Sequence, residues 1–436
     1  MRGYFCFILI GLFSSLYGLD LPTREIADDS SLRMALRDTW FTEAPERVLG
    51  RPYFYYRLPN GDRVQVRAEA GGEEFTTILA RELNGDYPGW AQGSWILTRR
   101  RDTGEVRRIR IFLRSDPQAY VQFRPLDKDR SVMDVVLYDA YVVRSLPLPY
   151  SIERLMVVPV EEALSIAGNK FPRRYFDPNP AEYRDMRTTI SKVQQILPQL
   201  SYRDDGAIDE NGRYVFIETL EPQSGQLGLN CSGFAKWVID GILRPYTGTT
   251  LSIPPLKTAF GERGSSFTKP YEELYDLFFG LDWSRHLASI AGTILRTPDS
   301  GNIEEIEVRT APFAALIERT SSGSIIRSYP DYQLNVGFQS EGIHALLYTL
   351  AIDEPGNLYI ATISREMANA QRLRQYFHLA ILLPHFTEAG EFQVTVFESA
   401  AETSFANFNT RYPGLFINLL RVPVEARFEP FQANLP

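Results

Sequence analysis

The chain has 436 residues, a formal net charge of -8, 44% hydrophobic and 13% aromatic residues. That is long enough for two or three domains with a large core and too apolar for disorder. Its acidic balance argues against nucleic acid as the main partner. Four scattered histidines and two cysteines make no ligand cluster of recognisable spacing, so neither a metal nor a cofactor is expected.

In chain order, residues 1–18, MRGYFCFILIGLFSSLYG, supply a basic start at Arg2, an apolar run from Tyr4 to Leu16 and a small residue at Gly18. This is the pattern of a cleaved signal peptide and predicts export, to the periplasm or the cell exterior. Cys6 leaves with it. No later apolar run is long enough to span a membrane, so no integral span is expected after cleavage. Residues 19–47 read as an acidic lead-in segment with one helix near Ser31 to Trp40. Residues 48–146 read as a small antiparallel β domain, with hairpin turns at Asn60-Gly61 and at Asp102 to Gly104. Its arginines Arg99 to Arg101, Arg107, Arg108, Arg110 and Arg114 are expected to form a solvated strand face or edge.

Pro147 and Pro149 mark a linker, and 147–182 reads as linker and helical connection. From 183 onward helices and strands alternate. Asn179 is placed to cap a helix opened by Pro180, with Tyr183, Met186, Ile190, Val193 and Leu197 on its core face. A turn at Asn211-Gly212 precedes the strand RYVFIE, and 271–295 reads as two helices broken near Gly280. Four strand-length apolar runs follow: NLYIATI, FHLAILL, FQVTVFE and LFINLLRV.

Cys231 is the one cysteine expected in the exported chain, so it has no intramolecular disulfide partner. The apolar stripe Phe234, Trp237, Val238 and Ile242 puts it at the start of a helix, where the dipole and the unpaired backbone donors favour thiolate over thiol. The alternative is a small apolar filler. Gly233 would let the helix approach closely behind the sulfur, and the Ser232 hydroxyl would serve the first turn. A thiolate catalyst needs an imidazole. His286 and His344 lie in helical or apolar stretches, whereas His378 opens a strand at a sheet edge and His385 falls near its far turn.

NCSGFAKWV resembles the nucleophile motif of the NlpC-type cell-wall cysteine peptidases, in which Asp-Cys-Ser-Gly opens the first helix of a papain-like core. DEPGNLYIA, Asp353 to Ala361, resembles that family's Pro-Gly-Asp-Leu segment, and HLAILLP resembles its His-Val-Gly-Ile-Tyr strand, in the same order. Together with the N-terminal antiparallel β domain read above, the resemblance gives an α+β architecture whose second part is a papain-like domain over 183–436. It makes Cys231 the nucleophile, His378 the general base and Glu398, at the end of the next strand, the residue that orients the imidazole, with His385 and Gln393 in reserve. Asn230, Asn357 and Ala380 depart from the family pattern, and the wide spacing between Cys231 and His378 requires an insertion at about 244–349.

The function implied is an exported cysteine endopeptidase acting on amide bonds of peptidoglycan stem peptides, with the β domain helping to hold it on the wall. A non-catalytic envelope binding or scaffold protein with an occluded site is the alternative. An amidase or transacylase acting on another envelope molecule would use the same pair of side chains.

Overall fold

In this computed structural model, residues 20–261, 277–319, 325–367 and 370–431 are described. The segment after residue 19 folds as a helix over Ser30–Leu36 that continues as a π-helical turn over Arg37–Phe41. Leu32, Leu36, Trp40 and Phe41 of this segment are buried in the core. The first sheet is an antiparallel meander of β1 (Phe54–Arg57), β2 (Arg63–Gly71), β3 (Glu74–Arg81), β4 (Trp95–Arg100), β5 (Val106–Ile111), β6 (Ala119–Pro125), β7 (Ser131–Leu137) and β8 (Ala140–Leu148), each strand paired with the next. Gly61 and Gly104 adopt positive φ at the expected turns, a conformation glycine enters without a Cβ clash. Pro147, expected in a linker, lies inside β8 opposite Val132.

The sheet does not end there. β9 (Gly206–Ile208) and β10 (Tyr214–Phe216) form a short hairpin of their own, but β11 (Ala315–Arg319) returns to pair with β8, and β12 (Ile325–Ser328) pairs with β11. Strands from the 244–349 region therefore extend the first sheet to ten strands among the described residues.

The second sheet, also antiparallel, contains β13 (Phe338–Gln339), β14 (Asn357–Met367), β15 (Ala370–Phe386), β16 (Phe392–Glu398), β17 (Ala401–Ser404) and β18 (Phe416–Pro423), in the order β13-β18-β14-β15-β16-β17. All four apolar runs read as strands from the sequence lie in it. The helix Cys231–Thr247 and the helix Phe279–Leu295 lie against it, with Trp237, Trp283, Val238 and Leu287 fully buried. Each such large side chain contributes about 1.5–3 kcal/mol of hydrophobic stabilisation. Gly280, expected to break a helix, sits inside the first turn of the second one. A Cβ there would lie 2.7 Å from the Tyr376 carbonyl oxygen, so the glycine serves the approach of helix to strand. The helix expected just before it falls outside the described residues.

One core spans both halves, from Leu32 to Phe428. At their junction the Tyr138 ring meets His344, Tyr348 and Phe392 at 4.2, 4.9 and 5.5 Å between centroids. Among the described residues no helix is long and apolar enough to cross a membrane, and no group of three potential metal ligands converges.

Candidate active site

Cys231 is the first residue of its helix. Asn230 caps it: its side-chain oxygen accepts the Gly233 N–H at 2.8 Å, the bond an aspartate would make at that position. The cap is therefore Asn230 and not the Ser232 hydroxyl. Ser232 is buried, and its carbonyl accepts the Trp283 indole N–H at 3.0 Å, tying the two helices together at the site. Gly233 is dictated by contact, since a Cβ there would stand 2.0 Å from the Gly206 carbonyl oxygen of β9. Farther along the helix, the buried Lys236 ammonium donates to Asp240 at 2.7 Å and to the Ile208 carbonyl at 2.8 Å, fixing the helix to the same hairpin.

His378 lies on β15 opposite Ile363 of β14, while Ser364 already pairs with Tyr376. The extra residue, Phe377, makes a β-bulge that re-aims the strand beside the histidine, as bulges commonly do at sites of chemistry. The His378 and Cys231 side chains are close enough for each to shift the other's protonation. The imidazole Nε2 meets Glu398 Oε2 at 2.7 Å, which leaves Nδ1 for the sulfur. Glu398 ends β16 at a two-residue hairpin whose central residues, Ser399 and Ala400, both have positive φ, 50° and 62°. Such backbone costs of order 1–3 kcal/mol per non-glycine residue, and held strain of this kind clusters at functional sites. The second carboxylate oxygen of Glu398 is held by the Arg411 guanidinium, at the end of the short helix Phe405–Arg411.

The electrostatics follow from this chain of contacts. Burial pushes the Cys231 thiol up, but the hydrogen bond and charge of His378, the Leu379 backbone N–H and the Ser232 side chain outweigh it, and the net direction is down. Burial works against a charged His378, yet the thiol and the Glu398 carboxylate raise it from 6.5 to about 9. Burial would raise Glu398, and the His378 and Arg411 charges bring it below its usual value. The arrangement therefore favours a thiolate beside an imidazolium, with a carboxylate behind it.

The other histidines stand apart from this cluster. His286 is bonded to Thr258 at 3.0 and 3.2 Å, His344 stacks among aromatic rings, and His385 Nδ1 donates to the Leu383 carbonyl at 3.0 Å. Gln393 pairs across the sheet with His385, away from His378. Three neighbours went unread in the sequence: Arg411, Tyr412 and Tyr202. The Tyr412 ring lies 6.0 Å from that of His378. Exposed Tyr202 and half-buried Tyr412 are both raised, first by burial and then by nearby charges that include Cys231. A cap-like Ser404 three residues before Asn407 marks the start of the short helix, but nothing local shows that its last turn reaches Glu398.

Residues 22–175 match the family model described as Domain of unknown function (DUF8515). No curated protein and no solved structure matches the chain. The match covers the lead-in segment and the meander β1–β8, and Cys231, His378 and Glu398 all lie beyond it.

Proposed function

We propose that the chain is an exported cysteine peptidase with a papain-like catalytic half, hydrolysing amide bonds of peptidoglycan stem peptides through an acyl-enzyme. The observation that carries this reading is the ordered contact from Cys231 through His378 to Glu398, with the sulfur at a helix N-terminus and the imidazole on an antiparallel strand. The wall peptide as substrate rests on the resemblance of NCSGFAKWV, DEPGNLYIA and HLAILLP to the NlpC-type peptidases.

In this mechanism the Cys231 thiolate attacks the scissile carbonyl carbon, and negative charge develops on its oxygen. The first N–H groups of a helix have no intrahelical partner, so those at the Cys231 end are donors suited to that charge. The carbon–nitrogen bond breaks as His378 gives its proton to the departing amine. A water molecule, deprotonated by His378, attacks the thioester, and the thiolate is released with the new carboxylate. Glu398 holds the ring with Nδ1 toward the sulfur and stabilises the imidazolium, and Arg411 holds Glu398.

The test is mass spectrometry of soluble products after the chain lacking residues 1–18, or its Cys231→Ser form, is incubated with purified sacculi under reducing conditions. Peptide fragments released only by the cysteine form are the expected result. Identical products from both forms would overturn the assignment, and absence of products from folded protein would favour a non-catalytic binding role.

A further inference from the structure

We infer that the first sheet carries a glycan-binding site, formed by the exposed tyrosines at its β1 edge and the polar cavity beside them. Tyr53 and Tyr55 are 62% and 55% exposed, and unlike the exposed Tyr202, Tyr246 and Tyr329 they stand side by side on one strand edge. Their rings lie 5.9 Å apart, and the Tyr87 ring follows 5.1 Å from that of Tyr55. Polar neighbours hold this row in place. Gln65 Nε2 donates to the Tyr55 hydroxyl at 3.2 Å, and Arg67 donates to the Tyr87 carbonyl at 3.1 Å. The Tyr87 hydroxyl donates to Glu82 at 3.4 Å, and Glu82 pairs with Arg63 at 2.7 Å.

Glu82 and Arg63 also line a cavity of about 570 Å³, whose walls include Asp62, Arg81, Asn84 and Gln92. Arg81 is buried, and it is held by Asp62 at 2.7 Å and by the Ala27 carbonyl. The tyrosine row and the cavity thus meet at Glu82.

A sugar ring has a flat C–H face and a rim of hydroxyls, and the two halves of this surface match those two features. The Tyr53 and Tyr55 rings are turned 81° to one another, so each offers its own face to a separate sugar ring. The cavity offers carboxylates, carboxamides and guanidinium groups, which together accept and donate hydrogen bonds to hydroxyls. Its arginines are already paired with Asp62 and Glu82, so it suits the hydroxyl and amide groups of a sugar better than a phosphate. The choice of glycan rests on the wall-polymer reading above, and adds the saccharide part of that polymer to the peptide part.

The experiment measures binding by isothermal titration calorimetry, using the chain without residues 1–18 in its Cys231→Ser form and glycan strands stripped of stem peptides. Binding is expected, and Tyr53→Ala and Tyr55→Ala should each weaken it about tenfold, the effect of removing an aromatic anchor. Leu126→Ala, at a residue 50% exposed elsewhere on the sheet, should leave it unchanged. Thermal melting of the tyrosine variants should match the parent, because the rings are exposed. No binding by folded protein, equal binding by Tyr55→Ala, or binding of an extended peptide at β1 in place of the glycan would overturn the inference. Hydrolysis is not read in this experiment, so failure of the cysteine mechanism and failure of glycan binding are separate outcomes.

Discussion

Replacing Glu398 by glutamine tests the proposed charge state of the site most directly. Glutamine keeps the side-chain length and an oxygen near Nε2, but it removes the charge that stabilises the imidazolium across 2.7 Å. A hydrogen bond to a charged group is worth about 1.5–3 kcal/mol, and one pKa unit is about 1.4 kcal/mol. The His378 side chain is only 17% exposed, so solvent screens little of this. The His378 value, raised to about 9 in the parent, should therefore fall by about one to two units in Glu398→Gln. The sign is fixed because loss of a negative neighbour disfavours the protonated ring. The assay is an NMR titration of histidine-labelled protein, with the His378 ring signals assigned by their disappearance in His378→Gln. Because sulfur and ring titrate as a pair, the Cys231→Ser form is measured alongside, and it should lower the His378 value as well. A parent His378 titrating near 6.5, or an unmoved value in Glu398→Gln, would refute the argument.

Two further outcomes are expected. Gly233→Ala places a Cβ against the Gly206 carbonyl oxygen; overpacking of this kind costs about 1–3 kcal/mol, so the urea midpoint should fall and thiol alkylation by iodoacetamide near neutral pH should slow as the helix end shifts. An unchanged midpoint together with an unchanged alkylation rate would show that the hairpin yields freely. His344 is half-buried among aromatic rings, and its loss of solvent lowers its value from 6.5 to about 4. Between those two pH values the unfolded chain binds the extra proton, so stability should fall with acidification, by roughly 2–3 kcal/mol from this group at pH 4. Urea unfolding of the parent and His344→Phe at pH 7 and pH 4.5 measures it, and parallel losses in the two proteins would remove His344 as the cause.

The local part of this site was legible in the sequence because its signals are local. Asn230 before a helical apolar stripe announces a capped helix start, and Glu398 closes a run that alternates like a strand. His378 was legible as a strand residue but not in its aim, because the bulge at Phe377 arises from the register of β15 against β14 and leaves no mark in YFHLAILLP. Arg411 reaches the site only through tertiary packing. Gly280 was misread for a related reason: glycine is a frequent breaker in isolation, but here the Tyr376 carbonyl excludes any side chain. The pairing of β11 with β8 joins residues far apart in sequence, and ALIER carries nothing to distinguish a partner of β8 from any other short strand.

That pairing also sets an order of assembly. A chain emerging from its N-terminus can fold β1–β8 hairpin by hairpin, since each strand pairs with its predecessor, but the outer edge of β8 stays open until β11 has followed. The helix that bears Cys231 emerges in the interval. An open strand edge invites pairing with other chains, so a nascent chain reaching only to residue 175 exposes a sticky border whose start, at Ala140 and Tyr141, β11 later covers. The stretch between the cysteine and histidine segments thus acts in part as a late clasp for the front of the molecule.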